Sequence, residues 1–296
     1  LLDNGFTTSL DKVSSGNAIY NYFKLLTEKN QNGYKSVSND KVVETYTLLS
    51  NHIATLFEKN PSEKESYIAA KRAINALADK FLNCDVLTKY YESKLSQNQE
   101  NLTWLPASLQ VMAEKCSATP IFLSIAEKNY ALKVSSQSAN YLATASLKNR
   151  KFDEAKKLFL ESAELEKNPI EKANKYYNLA TGLYSSDKPK AKELLLKSLE
   201  YNPKLGTAYL FLAQLYANSA SDCGKTEFEK KAVYNLAIET IKKAAVADEK
   251  LKANVTMFVN DFSKEALSAT DISKAKMNGK TITIGCWINE KITLSK

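Results

Sequence analysis

The sequence predicts an all-α protein in which about six helix pairs stack into a solenoid that ends in a short β-like tail. The first observation is composition. The 296 residues include only 8 Gly and 6 Pro, too few for the many hairpin turns of a large sheet protein. The second is periodicity, because apolar residues recur every three or four positions up to Lys264. We therefore expect helix from about Thr8 to Lys264, with strand confined to the tail.

The charge of the chain bears on one class of partner, nucleic acid. The formal net charge is +8, but only Arg72 and Arg150 among the 41 basic residues are arginines. Arg bonds phosphates and bases bidentately, whereas Lys is a strongly hydrated point charge. The lysines also alternate with Glu and Asp, as they do in residues 151–157. We expect a solvated Lys/Glu surface and regard nucleic acid as an unlikely partner.

The clearest internal repeat covers residues 137–169. Its first helix carries the small residue Ala143, and its second carries Ala155 between Phe152 and Phe159. Small residues let two helices approach closely, and we expect the two Phe rings to fill the gaps. This arrangement, closed by a Pro, is the tetratricopeptide-repeat (TPR) pattern.

The pattern returns twice further along the chain. In the third copy the second helix is expected late, over residues 234–247, after an insertion near residues 218–231. The matching positions are Tyr176, Leu179, Ala180, Ala191, Leu195, Ser198 and Pro203 in the second copy, and Tyr209, Leu212, Ala213, Tyr216, Ala237, Ile241 and Ala244 in the third.

Upstream of these copies the consensus blurs, but the helical period persists. We predict three regions: divergent TPR-like helix pairs in residues 1–135, TPR repeats in 136–265, and a capping tail in 266–296. The predicted upstream helices include residues 19–26, 42–57, 67–81, 86–95 and 121–132.

The tail has a different pattern. From Lys280 onward Thr and Ile alternate with period two, and such β-branched residues favour strands. Because a lone hairpin is only marginally stable in water, we expect the tail to pack over the last helices as a cap.

Four cysteines, Cys84, Cys116, Cys223 and Cys286, include no C-x-x-C spacing, which argues against a zinc ribbon or a redox pair. Three pairings are possible. We favour Cys84–Cys116, which begin or precede neighbouring helices, and Cys223–Cys286, which would pin the insertion to the tail. Buried free thiols are the alternative. Polar neighbours such as Asn83 indicate loop positions, so we predict disulfides and an oxidising compartment.

Catalytic and metal-binding motifs are missing from the sequence. His52 is the only histidine, and no Ser, Cys or carboxylate motif accompanies it. There is no Gly-rich phosphate loop, no H-E-x-x-H and no nucleophile elbow. We expect a protein that is not an enzyme and has no metal or cofactor, and we interpret His52 as a structural or surface residue.

In a TPR solenoid the first helix of each pair lines a groove. Here the groove positions hold amides, hydroxyls and aromatics, which suit an extended peptide. Other TPR domains grip acidic chaperone tails with Lys, but Asn140, Tyr177 and Leu210 occupy those positions, so that role is not expected. A groove without a ligand, or filled by the chain's own tail, is the alternative. The predicted partner-binding residues are Asn140, Tyr141, Thr144, Tyr177, Asn178, Thr181, Tyr184, Leu210, Phe211, Gln214 and Asn218.

Three short motifs carry a resemblance to a known group: Asn83-Cys84-Asp85, Asp222-Cys223-Gly224 and Gly285-Cys286-Trp287-Ile288-Asn289-Glu290. Together with the repeats they resemble the extracytoplasmic TPR proteins of Bacteroidota-type cell envelopes. The likeness covers most of the chain, and the N-terminal 80 residues depart from it because their consensus is weak. The resemblance implies a protein of the periplasm or the outer-membrane periphery without known catalytic chemistry. Members begin with a signal peptide, which we expect upstream of Leu1.

These observations predict a non-catalytic scaffold that binds other proteins. We expect it to be a subunit of a larger cell-envelope assembly, such as an outer-membrane or secretion complex. A periplasmic protein that captures a peptide or a glycan is the alternative. The sequence has no run of 18 apolar residues, so no transmembrane segment is predicted.

Overall fold

A computed structural model describes residue 6, residues 9–34 and residues 37–295 of the chain. It confirms the all-α prediction: 75% of the chain is helical, and the described residues form fifteen helices and one two-stranded sheet. The predicted start of the first helix near Thr8 lies outside the described residues. The chain divides into two compact units, the first ending at Leu158 and the second beginning at Phe159.

The described residues of the first unit form seven helices and the start of an eighth. Short 3-10 turns at Leu10–Lys12 and Pro61–Glu63 precede α1 and α3. The helices are α1 (Gly16–Gln31), α2 (Asn39–Lys59), α3 (Lys64–Ala78), α4 (Cys84–Asn98), α5 (Trp104–Lys115), α6 (Pro120–Leu132), α7 (Ser136–Lys148) and α8 (Phe152–Leu165), which crosses into the second unit.

Polar caps set where these helices begin. The side chains of Ser15, Ser38, Asn83 and Thr119 each accept a hydrogen bond from a backbone N–H in the first turn of α1, α2, α4 and α6. Ser135 starts α7 with a capping box. Such caps satisfy N–H groups that have no partner inside the helix, which stabilises each start by about 1 kcal/mol.

Tyrosines fill much of the core of the first unit. Tyr46 on α2 is buried and donates a hydrogen bond from its hydroxyl to Asn75 Oδ1 on α3, at 3.0 Å. Tyr91 on α4 is also buried, and its hydroxyl lies 2.6 Å from Thr47 Oγ1. Burial raises the pKa of both tyrosines, so both hydroxyls stay protonated. These bonds tie α2 to α3 and α4.

The second unit contains the remaining helices and the sheet. Its elements are α9 (Pro169–Gly182), α10 (Lys188–Tyr201), α11 (Gly206–Ala217), α12 (Ala220–Cys223), α13 (Glu227–Ala247), a 3-10 turn at Glu249–Leu251, α14 (Lys252–Glu265), α15 (Ala269–Lys274), β1 (Thr281–Ile284) and β2 (Glu290–Thr293).

Helices of the second unit pack in succession, α9 on α10, α10 on α11, α11 on α13, and α13 on α14. The contacts are close because small side chains lie between them: Ala180, Ala191 and Ala213 are fully buried. Buried Ser198 on α10 donates a hydrogen bond to the Ala173 carbonyl on α9 at 2.9 Å. The alanines at the repeat positions therefore pack as the sequence predicts.

Two details of the repeats were predicted wrongly. Phe152 does not fill a gap between helices, since it is 63% exposed as the first residue of α8, and Ala155 and Leu158 form the buried stripe. The second helix of the third copy, α13, begins at Glu227, inside the predicted insertion, rather than at residue 234. A capping box between Thr226 and Glu229 sets that earlier start.

The tail folds as the predicted hairpin. β1 and β2 pair antiparallel, with Ile282 opposite Ile292. Ile284, Ile288, Ile292 and Leu294 are buried in one apolar cluster with residues of α10, α11 and α13.

Lys192 on α10 also holds the tail, through a hydrogen bond and an ion pair that lie outside the apolar cluster. Its Nζ donates to the Ile288 carbonyl and lies 2.6 Å from Glu290 Oε1. Trp287 packs near Tyr216 of α11, with ring centroids 6.2 Å apart. The tail is thus part of the core of the second unit.

We predict that Ile292→Ala lowers the stability of the isolated chain by about 2–5 kcal/mol, because it opens a cavity in that cluster. Lys291→Ala, the neighbouring exposed position of β2, should change stability by no more than about 0.5 kcal/mol. Denaturant unfolding of both variants checks this. Equal midpoints for the two variants would show that the tail does not contribute to the core.

Candidate functional site

The predicted groove residues of the first unit lie on α7, and one of them is not accessible. Tyr141 is 9% exposed and packs edge-on against Phe122 of α6, with ring centroids 6.4 Å apart. Gln137 donates a hydrogen bond to its hydroxyl at 3.4 Å. The prediction that Tyr141 contacts a partner is therefore corrected, because its ring belongs to the core. Asn140 and Thr144 are half-buried.

In the second unit the predicted groove residues come together on α9 and α11. Phe211 lies between two tyrosines: its ring centroid is 6.1 Å from that of Tyr177 and 5.1 Å from that of Tyr184. Asn218 donates a hydrogen bond from its side-chain amide to the Tyr184 hydroxyl. All three rings are half-buried and rest on the core. We call these three rings, with Asn178 and Gln214, the aromatic surface.

The aromatic surface carries polar groups that the fold itself does not use. Asn178 is exposed and Gln214 is half-buried, and neither side-chain amide bonds another residue in the described part of the chain. Thr181 uses its hydroxyl locally, since it donates to the Asn178 carbonyl at 2.8 Å. Leu210, one residue before Phe211, packs instead with the apolar cluster near α14. The surface is therefore a set of supported rings beside two free amides.

The structure places Cys223 and Cys286 at disulfide-bonding distance, as the sequence predicts, with their Cα atoms 5.1 Å apart. Cys223 ends α12, and Cys286 lies in the turn between β1 and β2. The next residue, Gly224, is packed closely against α13. A Cβ added at this position would lie 2.4 Å from the Lys230 backbone nitrogen. A disulfide here is compatible with an extracytoplasmic location.

The other predicted disulfide is not formed, because Cys84 and Cys116 are free thiols. The two cysteines are nevertheless neighbours, because Cys116 forms a hydrogen bond with the Cys84 thiol. Burial, followed by this hydrogen bond, raises the pKa of Cys116. A thiol with a raised pKa holds its proton, and disulfide exchange requires the thiolate. The pairing prediction is corrected to a pair of adjacent reduced thiols.

His52 has a structural contact. Its Nε2 lies 2.6 Å from the Val13 carbonyl oxygen, which ties the segment before α1 to α2. In the described ranges no group of three or more His, Cys, Asp or Glu side chains could hold a metal ion. Nor does any described helix combine the length and the apolar character needed to cross a membrane.

A cleft of about 480 Å³ in the first unit was not foreseen from the sequence. It lies between α2, α4 and the segment that leads into α5, and its lining includes Asp40, Tyr90, Gln97 and Trp104. The cluster of amides at Gln97, Asn98 and Asn101, just before a Trp, was the available signal. These residues come together only when α2 packs beside α4.

No protein-family model matches the chain, and no curated protein is significantly similar to it. The resemblance to envelope TPR proteins therefore stays a prediction from the sequence motifs.

We predict that the unreduced protein, made in an oxidising compartment, has an intact mass about two units below the fully reduced value, the loss of one hydrogen pair. Cys286→Ser should abolish the difference and lower stability by about 2–4 kcal/mol. Cys84→Ser serves as the control, and it should leave the mass difference in place.

Mass spectrometry before and after reduction decides the outcome. A difference of about four units would show that Cys84 and Cys116 also form a disulfide. A value equal to the reduced mass would contradict the Cys223–Cys286 assignment.

Proposed function

We propose that this protein is a non-catalytic interaction module that holds another protein through its aromatic surface. The observation that carries the proposal is the arrangement of Phe211 between Tyr177 and Tyr184, with the free amides of Asn178 and Gln214 beside them. Tyrosine and other aromatic residues dominate the energetics of protein interfaces, because each ring offers a large contact area at little entropy cost.

The partner that fits best is an extended peptide segment of another protein. Free side-chain amides can bond the backbone of such a segment, and the three rings can cover its apolar side chains. None of the five residues of the aromatic surface is charged, so none of them offers an ammonium group to an acidic chaperone tail. We infer a neutral or apolar recognition segment.

The proposal includes the architecture and the location that the sequence predicts. A TPR-like solenoid is supported by the succession of packed helices in the second unit, with alanines at the repeat positions. A place in a periplasmic or outer-membrane assembly is supported by the cysteine pair at disulfide distance. The partner is then a protein of that envelope assembly.

Capture of a peptide or a glycan is the second candidate function. The specific observation that favours this function is the cleft of the first unit, none of whose described lining residues belongs to the aromatic surface.

We predict that Asn178→Ala combined with Gln214→Ala weakens partner binding about thirtyfold, since two hydrogen bonds of about 1 kcal/mol each are lost. Thermal stability should stay nearly unchanged, because neither amide has an internal partner. The measurement is quantitative co-purification of partners with the tagged protein from solubilised envelopes of the source organism.

The matched control replaces two exposed amides of α14, Asn254→Ala with Asn260→Ala. It should capture the same proteins in the same amounts as the unmodified chain. The proposal fails if the Asn178→Ala/Gln214→Ala variant retains its partners, or if the control variant loses them equally.

A further inference from the structure

The cleft in the first unit has the dimensions of a small-ligand site. Its volume of about 480 Å³ lies within the usual range for such sites, about 300–1,000 Å³. All of its lining residues belong to α2, α4, the N-cap of α2 and the stretch from Asn101 to Ala107. The site is therefore complete within one compact unit.

Among the described lining residues of the cleft, opposite charges are paired. Asp40 Oδ2 lies 4.0 Å from Lys94 Nζ, and Glu44 Oε2 lies 3.3 Å from Lys41 Nζ. The two carboxylates are therefore balanced by two ammonium groups, and the described lining carries no net charge. The carboxylate oxygens still accept hydrogen bonds, and the ammonium groups still donate them.

Tyr90 presents a polar group that the fold leaves unused. The residue is 6% exposed, and its hydroxyl bonds no other residue in the described part of the chain. Burial, followed by the nearby charges of Glu44 and Asp40, raises the pKa of Tyr90, so the hydroxyl stays protonated and can donate. The hydroxyl is not sealed inside the core, and a ligand in the cleft can bond it in place of water.

Two further amides are available beside Tyr90. The side chains of Asn51 and Gln97 line the cleft and, among the described residues, bond no neighbour. Asn101 is different, because its Oδ1 accepts from the backbone N–H groups of Thr103 and Trp104 and so caps the start of α5. The cap fixes Trp104 at the edge of the cleft.

Trp104 adds an aromatic wall. Its ring is half-buried and packs edge-on against Tyr91, with centroids 5.7 Å apart, which holds it in place. Among the described lining residues, Leu48 alone has an aliphatic side chain larger than that of alanine. The cleft thus lacks the series of apolar pockets that reads the side chains of an extended peptide.

We propose that this cleft binds a neutral oligosaccharide. Such a ligand carries hydroxyl groups that both donate and accept, which match the free amides, the Tyr90 hydroxyl and the paired carboxylates. The apolar C–H face of a sugar ring packs against an aromatic wall such as Trp104. This assignment gives the second candidate function a site and a ligand class, and it does not depend on the aromatic surface of the second unit.

The experiment uses the full chain and a panel of immobilised neutral oligosaccharides that are two to six sugars long. The panel includes polymers of glucose, galactose, mannose, xylose and N-acetylglucosamine, with a library of neutral peptides as the comparison. Titration calorimetry then gives the Kd for each sugar that binds. We expect at least one member to bind.

Tyr90→Phe and Gln97→Ala should each raise that Kd about fivefold or more, since each removes one hydrogen bond. Gln97 is exposed, so its variant tests the site without disturbing the core. Tyr34→Phe changes an exposed tyrosine that is not among the described lining residues; it is the matched control and should leave Kd unchanged.

The inference is overturned if no neutral oligosaccharide binds at millimolar concentration, if binding is insensitive to both cleft variants, or if only peptides bind there. The Asn178→Ala/Gln214→Ala variant should bind the sugar normally, and Tyr90→Phe should retain captured proteins. Failure of either proposal is thereby distinguishable from failure of the other.

Discussion

Close approach of neighbouring helices, made possible by alanine and serine at their contacts, is the constraint on which the rest of the structure depends. Ala180, Ala191, Ala208 and Ala213 are fully buried, and each leaves room for the facing helix backbone. Larger residues at these positions would separate the helices and open voids, which protein interiors tolerate poorly. The spacing of the helices in turn decides which larger side chains are buried and which stay accessible.

Both candidate sites are consequences of that packing. On α9 and α11 the rings of Tyr177 and Phe211 are half-buried against the core and contact each other, so they form a supported surface. In the first unit, α2 and α4 leave a cleft where Tyr90 and Trp104 meet polar side chains. The hairpin also depends on the packing of these helices, because its apolar residues pack against the cluster formed by residues of α11 and α13.

Local patterns predicted most of the fold. A 3.6-residue period and polar caps suffice to locate helices, and the Thr–Ile alternation located the hairpin. Features that depend on distant neighbours were harder to predict. Tyr141 is buried because Phe122, on another helix, packs against its ring. Cys84 and Cys116 are free thiols, and burial raises the pKa of Cys116. The cleft joins residues from Ser38 to Ala107, a span no local pattern describes.

The central claim, that small residues at helix contacts set the architecture, is tested most directly by thermal unfolding of one matched pair. Ala180→Leu places a large side chain at a fully buried contact and should destabilise the chain by about 1–3 kcal/mol or more. Ala253→Leu makes the same change at an exposed position of α14 and should alter stability by no more than about 0.5 kcal/mol. Equal melting temperatures for the two variants would contradict the account.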